Sequence, residues 1–190
     1  ALRAAVAMMK ELACFNTGRV AKGEEPIDMG IGLNTDSVVA GNIGSEKQSN
    51  YTMIGDGVNL AARLETACKQ YHAHILISEF TYNKLRGTYK IREIDRVIVK
   101  GKTRPVGVFE VLDYHTDETF PNLAATLDCF NKGLTKYRQA HWDRAIESFK
   151  EALGHNPGDQ LSVTYIERCE LLKQNPPGDD WNGVWVMTSK

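Results

Sequence analysis

Apolar positions fall at helical spacing from the first residue: Ala1, Ala4, Ala5, Met8 and Leu12 share one face of "ALRAAVAMMKEL". No N-cap residue precedes them, so the chain reads as cut from something longer. After the polar loop "NTGRVAKGEEP" the period changes to two. In "IDMGIGL" the residues Ile27, Met29, Ile31 and Leu33 line one face, which predicts a strand with one buried side. Gly30 and Gly32 fall on its other face and leave room for a close neighbour, either backbone or ligand. "VVAGNIG" and "YTMIG" read as two further strands, and with the first they predict an antiparallel meander. A helix is expected from about Gly57 to Tyr71, then a buried strand at "ILIS" and a short helix ending at Gly87. "YKIREIDRVIVKG" and "VGVFEVLDY" read as two strands joined by "KTRP". Strands and helices mix without a regular βαβ repeat, which predicts an α+β fold.

Beyond "TDETFPN" the strand pattern stops. Leu123–Gln139, Trp142–His155 and Gln160–Gln174 read as three amphipathic helices, followed by a tail carrying Trp181 and Trp185. The change of pattern near residues 115–121 divides the chain into domains 1–116 and 117–190.

Composition narrows the function classes. Hydrophobic residues make up 42% of 190, enough for a packed core, and the net charge is −1. There is no basic stripe of the kind that binds nucleic acid. No apolar run approaches the roughly 18–20 residues that span a bilayer, and the first residues do not form a signal peptide. Cys14, Cys68, Cys129 and Cys169 are scattered, without CxxC or metal spacing, and read as reduced thiols of a cytoplasmic protein. His72 and His74 lead into "HILIS" as strand-edge residues.

The candidate chemistry lies in "NYTMIGDGVNLAARLE". Asp56 stands where an N-cap belongs, behind the permissive backbone of Gly55. Asn59 and Arg63 are four apart, which brings their Cβ atoms to about 5–6 Å on one helix face. A guanidinium offers five fixed donors suited to phosphate oxygens, and a helix start adds partial positive charge. A solvated polar face and a phosphate grip are both compatible with that spacing. Lys100 precedes Gly101 in "VKGK", where a flexible ammonium could reach a polyphosphate or simply face water.

Taken together, "GIGLNTDSVVAGNIGS…YTMIGDGVNLAARLE…ILIS…VKGK" resembles the second half of the catalytic domain of class III nucleotide cyclases, over about residues 1 to 114. The resemblance implies an adenylate cyclase acting in intracellular signal transduction, converting ATP to 3′,5′-cyclic AMP and pyrophosphate. It implies that Asn59 positions the ribose, Arg63 stabilises transition-state charge, Thr52 contacts the base and Lys100 binds the terminal phosphates. It further implies a homodimer and two Mg²⁺ or Mn²⁺ ions, whose aspartate ligands belong to the first half of the domain, upstream of Ala1. No metal ligand is expected in this chain, so residues 1–190 alone are expected to be inactive. Gln48 stands where the family often has Arg, and Asp36 where many members have Gly. Two alternatives remain open: a non-catalytic cyclase-like regulatory domain, and a guanylate cyclase, which Thr52 disfavours.

"GLTKYRQAHWDRAIESFKEALGHNPGD" resembles a tetratricopeptide repeat, with Gly133, Ala145, Phe149, Ala152 and Pro157 at consensus spacing. The closing "PPGDDWNGVWVMTSK" resembles the ends of bacterial, cyanobacterial-type cyclases. A single repeat cannot bury its own apolar face, so the segment is expected to dock on the cyclase domain or on a protein partner.

Overall fold

The computed structural model describes residues 1–45, 48–97, 105–178 and 181–184. They fall into two compact units, Ala1–Thr88 and Tyr89–Lys190. β5 and β6, grouped by the sequence with the residues before 116, thus belong to the same unit as the helices after 117.

The first unit comprises α1 (Leu2–Val20), β1 (Ile31–Leu33), β2 (Val39–Ser45), β3 (Gln48–Ile54), α2 (Asp56–Tyr71), β4 (Ile75–Ser78) and α3 (Glu79–Tyr82). β2 and β3 form an antiparallel pair in which Gly41 faces Thr52 and Asn42 faces Tyr51. The expected three-stranded meander does not form. β1 instead pairs in parallel with β4, Ile31 opposite Ile75 and Leu33 opposite Ile77. The strand expected over Ile27–Leu33 is paired only from Ile31. Ile27 is exposed, and its backbone is held by the Asn16 side chain, which donates to the Ile27 carbonyl and accepts from its amide, both at 2.8 Å.

Gly30 and Gly32 settle which neighbour approaches: it is the backbone of α2. A Cβ on Gly32 would lie 2.2 Å from the Ala61 carbonyl oxygen and 2.4 Å from the Glu65 nitrogen. The missing side chain lets β1 lie directly on the helix. Leu60, Leu64, Cys68 and Tyr71 form the buried stripe of α2 at spacings of four, four and three.

The second unit contains β5 (Ile91–Val97), β6 (Val106–Val111), α4 (Leu123–Arg138), α5 (Trp142–His155) and α6 (Gln160–Gln174). The last two helices occupy the spans expected from their periodicity. β5 and β6 are antiparallel, with a bulge between Glu93 and Asp95. Phe149 of α5 fills the space left by Gly133 of α4, where a Cβ would come within 2.6 Å of its ring. Trp181 packs against Tyr137 and Trp142, at ring-centroid distances of 5.5 and 5.3 Å. Trp185 lies outside the described residues.

Charged groups join the strands to the helices inside this unit. The Arg92 guanidinium, 3% exposed, donates to Glu110 at 2.6 Å and to Asp159 at 2.8 Å. It also lies over the rings of Phe120 and Phe130. Burial works to lower its pKa, but the two carboxylates outweigh burial and hold it above the ordinary arginine value. Arg168 donates to Asp95 at 2.8 Å, Arg138 donates two hydrogen bonds to Glu93, and the Tyr165 hydroxyl donates to the Ile94 carbonyl.

Candidate active-site residues on the second helix

α2 begins after Gly55, which takes the N-cap position expected for Asp56. Asp56 is instead the first helical residue, where its charge still favours the helix dipole. The Gly55 carbonyl accepts from the amides of Val58 at 3.1 Å and Asn59 at 3.4 Å. Gly57 is buried. A Cβ there would meet the Asp36 Cβ at 2.5 Å, so the loop after β1 presses on the first turn of the helix.

A chain of side chains holds that turn. Asn34 donates to the Gly57 carbonyl at 3.0 Å, and Ser78 donates to Asn34 at 2.6 Å. Ser78 also caps α3 by accepting from the Thr81 amide, and the Thr81 hydroxyl lies 3.0 Å from that of Thr35. No local pattern announces this network. "NTDS" reads as an ordinary turn, and only the parallel pairing of β1 with β4 brings Asn34 to Ser78.

With the buried stripe turned to β1 and β4, Asn59 and Arg63 are left exposed, one turn apart. Neither side chain has a hydrogen bond or ion pair with the described residues. Thr52 is exposed on β3, in the strand that runs into the helix. The structure thus carries these three residues on consecutive elements of one unit. Lys100 lies outside the described residues.

Two carboxylates that precede this helix have partners of their own. Asp28 lies 3.2 Å from His74, and Asp36 accepts from the Ser37 amide. Among the described residues no group of three or more His, Cys, Asp or Glu side chains is placed to hold a metal ion. The donors among the described residues do not fit a two-metal centre. Among the same residues, no helix is long and apolar enough to cross a membrane.

Known proteins are similar to this chain. The family described as adenylate and guanylate cyclase catalytic domain matches residues 1–112. The terminal-differentiation specific adenylate cyclase of Dictyostelium discoideum is 32% identical over 173 residues, 89% of this chain and 8% of that protein. An adenylate cyclase of Anabaena cylindrica is 37% identical over 118 residues, 58% of this chain and 24% of that protein. The chain therefore spans less than a quarter of the length of either relative. The crystal structure of the adenylyl cyclase CyaB from P. aeruginosa superposes with a TM-score of 0.51 at 35% identity, over 59% of this chain and 57% of that one. Thr52, Asn59 and Arg63 all fall inside the matched region, and the chain belongs to the adenylate and guanylate cyclase catalytic domain family.

Proposed function

We propose that these residues supply part of the active site of an adenylate cyclase, which converts ATP to 3′,5′-cyclic AMP and pyrophosphate for intracellular signalling. The observation that carries the reading is the exposed pair Asn59 and Arg63, uncommitted to any described residue, on a helix fixed by backbone contact at Gly32. In the reaction the ribose 3′ hydroxyl attacks the α-phosphorus and gives up its proton to solvent, a new P–O bond closes the ring, and pyrophosphate leaves with the electrons of the broken bond. Negative charge grows on the oxygens around phosphorus. A guanidinium held at that position stabilises the transition state more than the ground state, and so lowers the barrier. The Asn59 amide orients the ribose, Thr52 offers a hydroxyl donor and acceptor to the base, and Lys100 neutralises the terminal phosphates. The catalytic unit is a homodimer. The exposed Val39, Tyr51, Met53 and Ile54 of β2 and β3 support an apolar contact between subunits.

The test uses the full-length protein that carries this sequence. Arg63→Ala lowers kcat by on the order of 10³-fold with little change in KM, since the contact matters mainly in the transition state. The wild-type protein forms cyclic AMP faster than cyclic GMP by about tenfold or more, about 1.4 kcal/mol. Near-wild-type turnover in Arg63→Ala removes the assigned role, and equal rates for the two nucleotides remove the assignment to ATP.

A further inference from the structure

β1 and the loop after it hold α2 at two points one turn apart. At Gly32 the contact is steric. The strand lies against the Ala61 carbonyl and the Glu65 amide nitrogen, which sets how closely the helix approaches. Such a contact does not by itself fix how far the helix is rolled about its own axis. The bond that resists roll comes from Asn34, whose Nδ2 donates to the Gly57 carbonyl at 3.0 Å, on the buried side of the first turn. The amide is held the right way round. The Ser78 hydroxyl accepts from the Thr81 amide at 3.2 Å and gives its own hydrogen to Asn34 Oδ1 at 2.6 Å. That leaves the Asn34 nitrogen turned to Gly57. Ser78 is buried, so water does not compete for its hydroxyl.

Asn59 and Arg63 follow Gly57 and Ala61 by two residues each. At about 3.6 residues per turn, two residues are about 200° of rotation, so the pair projects from the face opposite the attachment. With side chains a helix is about 10–12 Å across, and a roll of about 10° therefore moves a side-chain tip by about 1 Å. A misplacement of that size costs catalysis roughly 10²-fold. We propose that Asn34 is a positioning residue of the cyclase: clamped by Ser78, it sets the roll of α2 and thereby the aim of Asn59 and Arg63. The inference rests on the cyclase reading above, and all of these residues belong to one unit.

The experiment uses Asn34→Asp in the full-length protein, an isosteric change that keeps the acceptor for Ser78 and removes the donor to Gly57. It is measured alone and combined with Arg63→Ala, at a temperature where near-ultraviolet circular dichroism shows each protein folded. Alone, Asn34→Asp lowers kcat by about tenfold or more and leaves KM for ATP within about twofold. In the Arg63→Ala background the same change lowers kcat by about threefold or less, because the group whose aim it disturbs is gone. A folded Asn34→Asp with wild-type kcat overturns the proposal. So does an equal loss in both backgrounds, which marks a purely structural effect. Should Asn34→Asp fail to fold, native-state hydrogen exchange on the wild type decides. Exchange of the Leu60 and Ala61 amides only together with the rest of α2 supports a held first turn; their exchange by fraying, with Leu64 and Cys68 still protected, overturns it. Arg63→Ala by itself decides the cyclase reading. Loss of turnover there, with unchanged kcat in Asn34→Asp, defeats the positioning role alone.

Discussion

Gly32 governs the candidate site without belonging to it. Its absent side chain sets the distance between β1 and α2, and therefore where Asn59 and Arg63 point. Gly32→Ala forces a methyl onto two backbone atoms closer than 2.5 Å, an overpacking that costs about 1–3 kcal/mol. The helix must move, and a displacement near 1 Å costs catalysis roughly 10²-fold. The expected outcome is a lowered Tm together with a fall in kcat that persists at temperatures where the variant is folded. Gly18→Ala is the control, because nothing lies within 4 Å of its Cβ; in the last turn of α1 it leaves stability unchanged or raises it by up to about 1 kcal/mol. An equal effect from both variants would show that the contact at Gly32 is unimportant. At this scale the sequence was partly legible. Gly30 and Gly32 signalled a close neighbour because two glycines on one strand face have few other uses. Asn34, Ser78 and Thr81 gave no such signal, since, apart from the local cap between Ser78 and Thr81, the bonds that tie them together span more than 20 positions.

Among the elements, β5 depends most on groups from elsewhere. Burial works to raise the pKa of Glu93, but the hydrogen bonds and charge of Arg138, aided by Arg96, prevail and hold it below its ordinary value of 4.5. A carboxylate depressed on folding stabilises the native state above its unfolded pKa and loses that contribution as pH falls through the folded one. Thermal unfolding of Glu93→Gln should therefore lie below wild type at neutral pH, with the gap closing below about pH 4.5. A gap that stays constant into acid would separate Glu93 from the stability of the strand. Helices α5 and α6 were legible to the residue because the strong periodicity of α5 stops at the turn of residues 156–158, which sets the two helices apart. The partnering of strands was not. Alternation at Ile27–Leu33 reports which side is apolar, not which strand lies alongside, and the parallel partner of Ile31 stands at Ile75. Arg92, Asp95 and Glu110 are charged residues that their chemistry alone would place toward solvent. Their burial goes with countercharges that the fold supplies, Asp159 and Arg168 of the α6 segment for Arg92 and Asp95, and Arg92 itself for Glu110.

For the molecule as a whole, the family match ends at residue 112, while the unit containing β5 and β6 continues through the helices. The family match and the compact units draw different borders here, and the second bears on how the chain comes into being. Arg92 meets Asp159 across 67 positions, and Asp95 meets Arg168 across 73. During synthesis at about 5–20 residues per second, Arg92 waits roughly 3–13 s for its second carboxylate. Throughout that interval the nascent hairpin has charges that it cannot bury. It should remain unsettled on the ribosome until α6 emerges, and then lock in one step. A nascent-chain force measurement should register a single pull once Arg168 has left the exit tunnel; a pull already at Val111 would mean that the hairpin folds unaided. The buried Arg92 thus acts as a timer, making the second unit the last part of this sequence to mature.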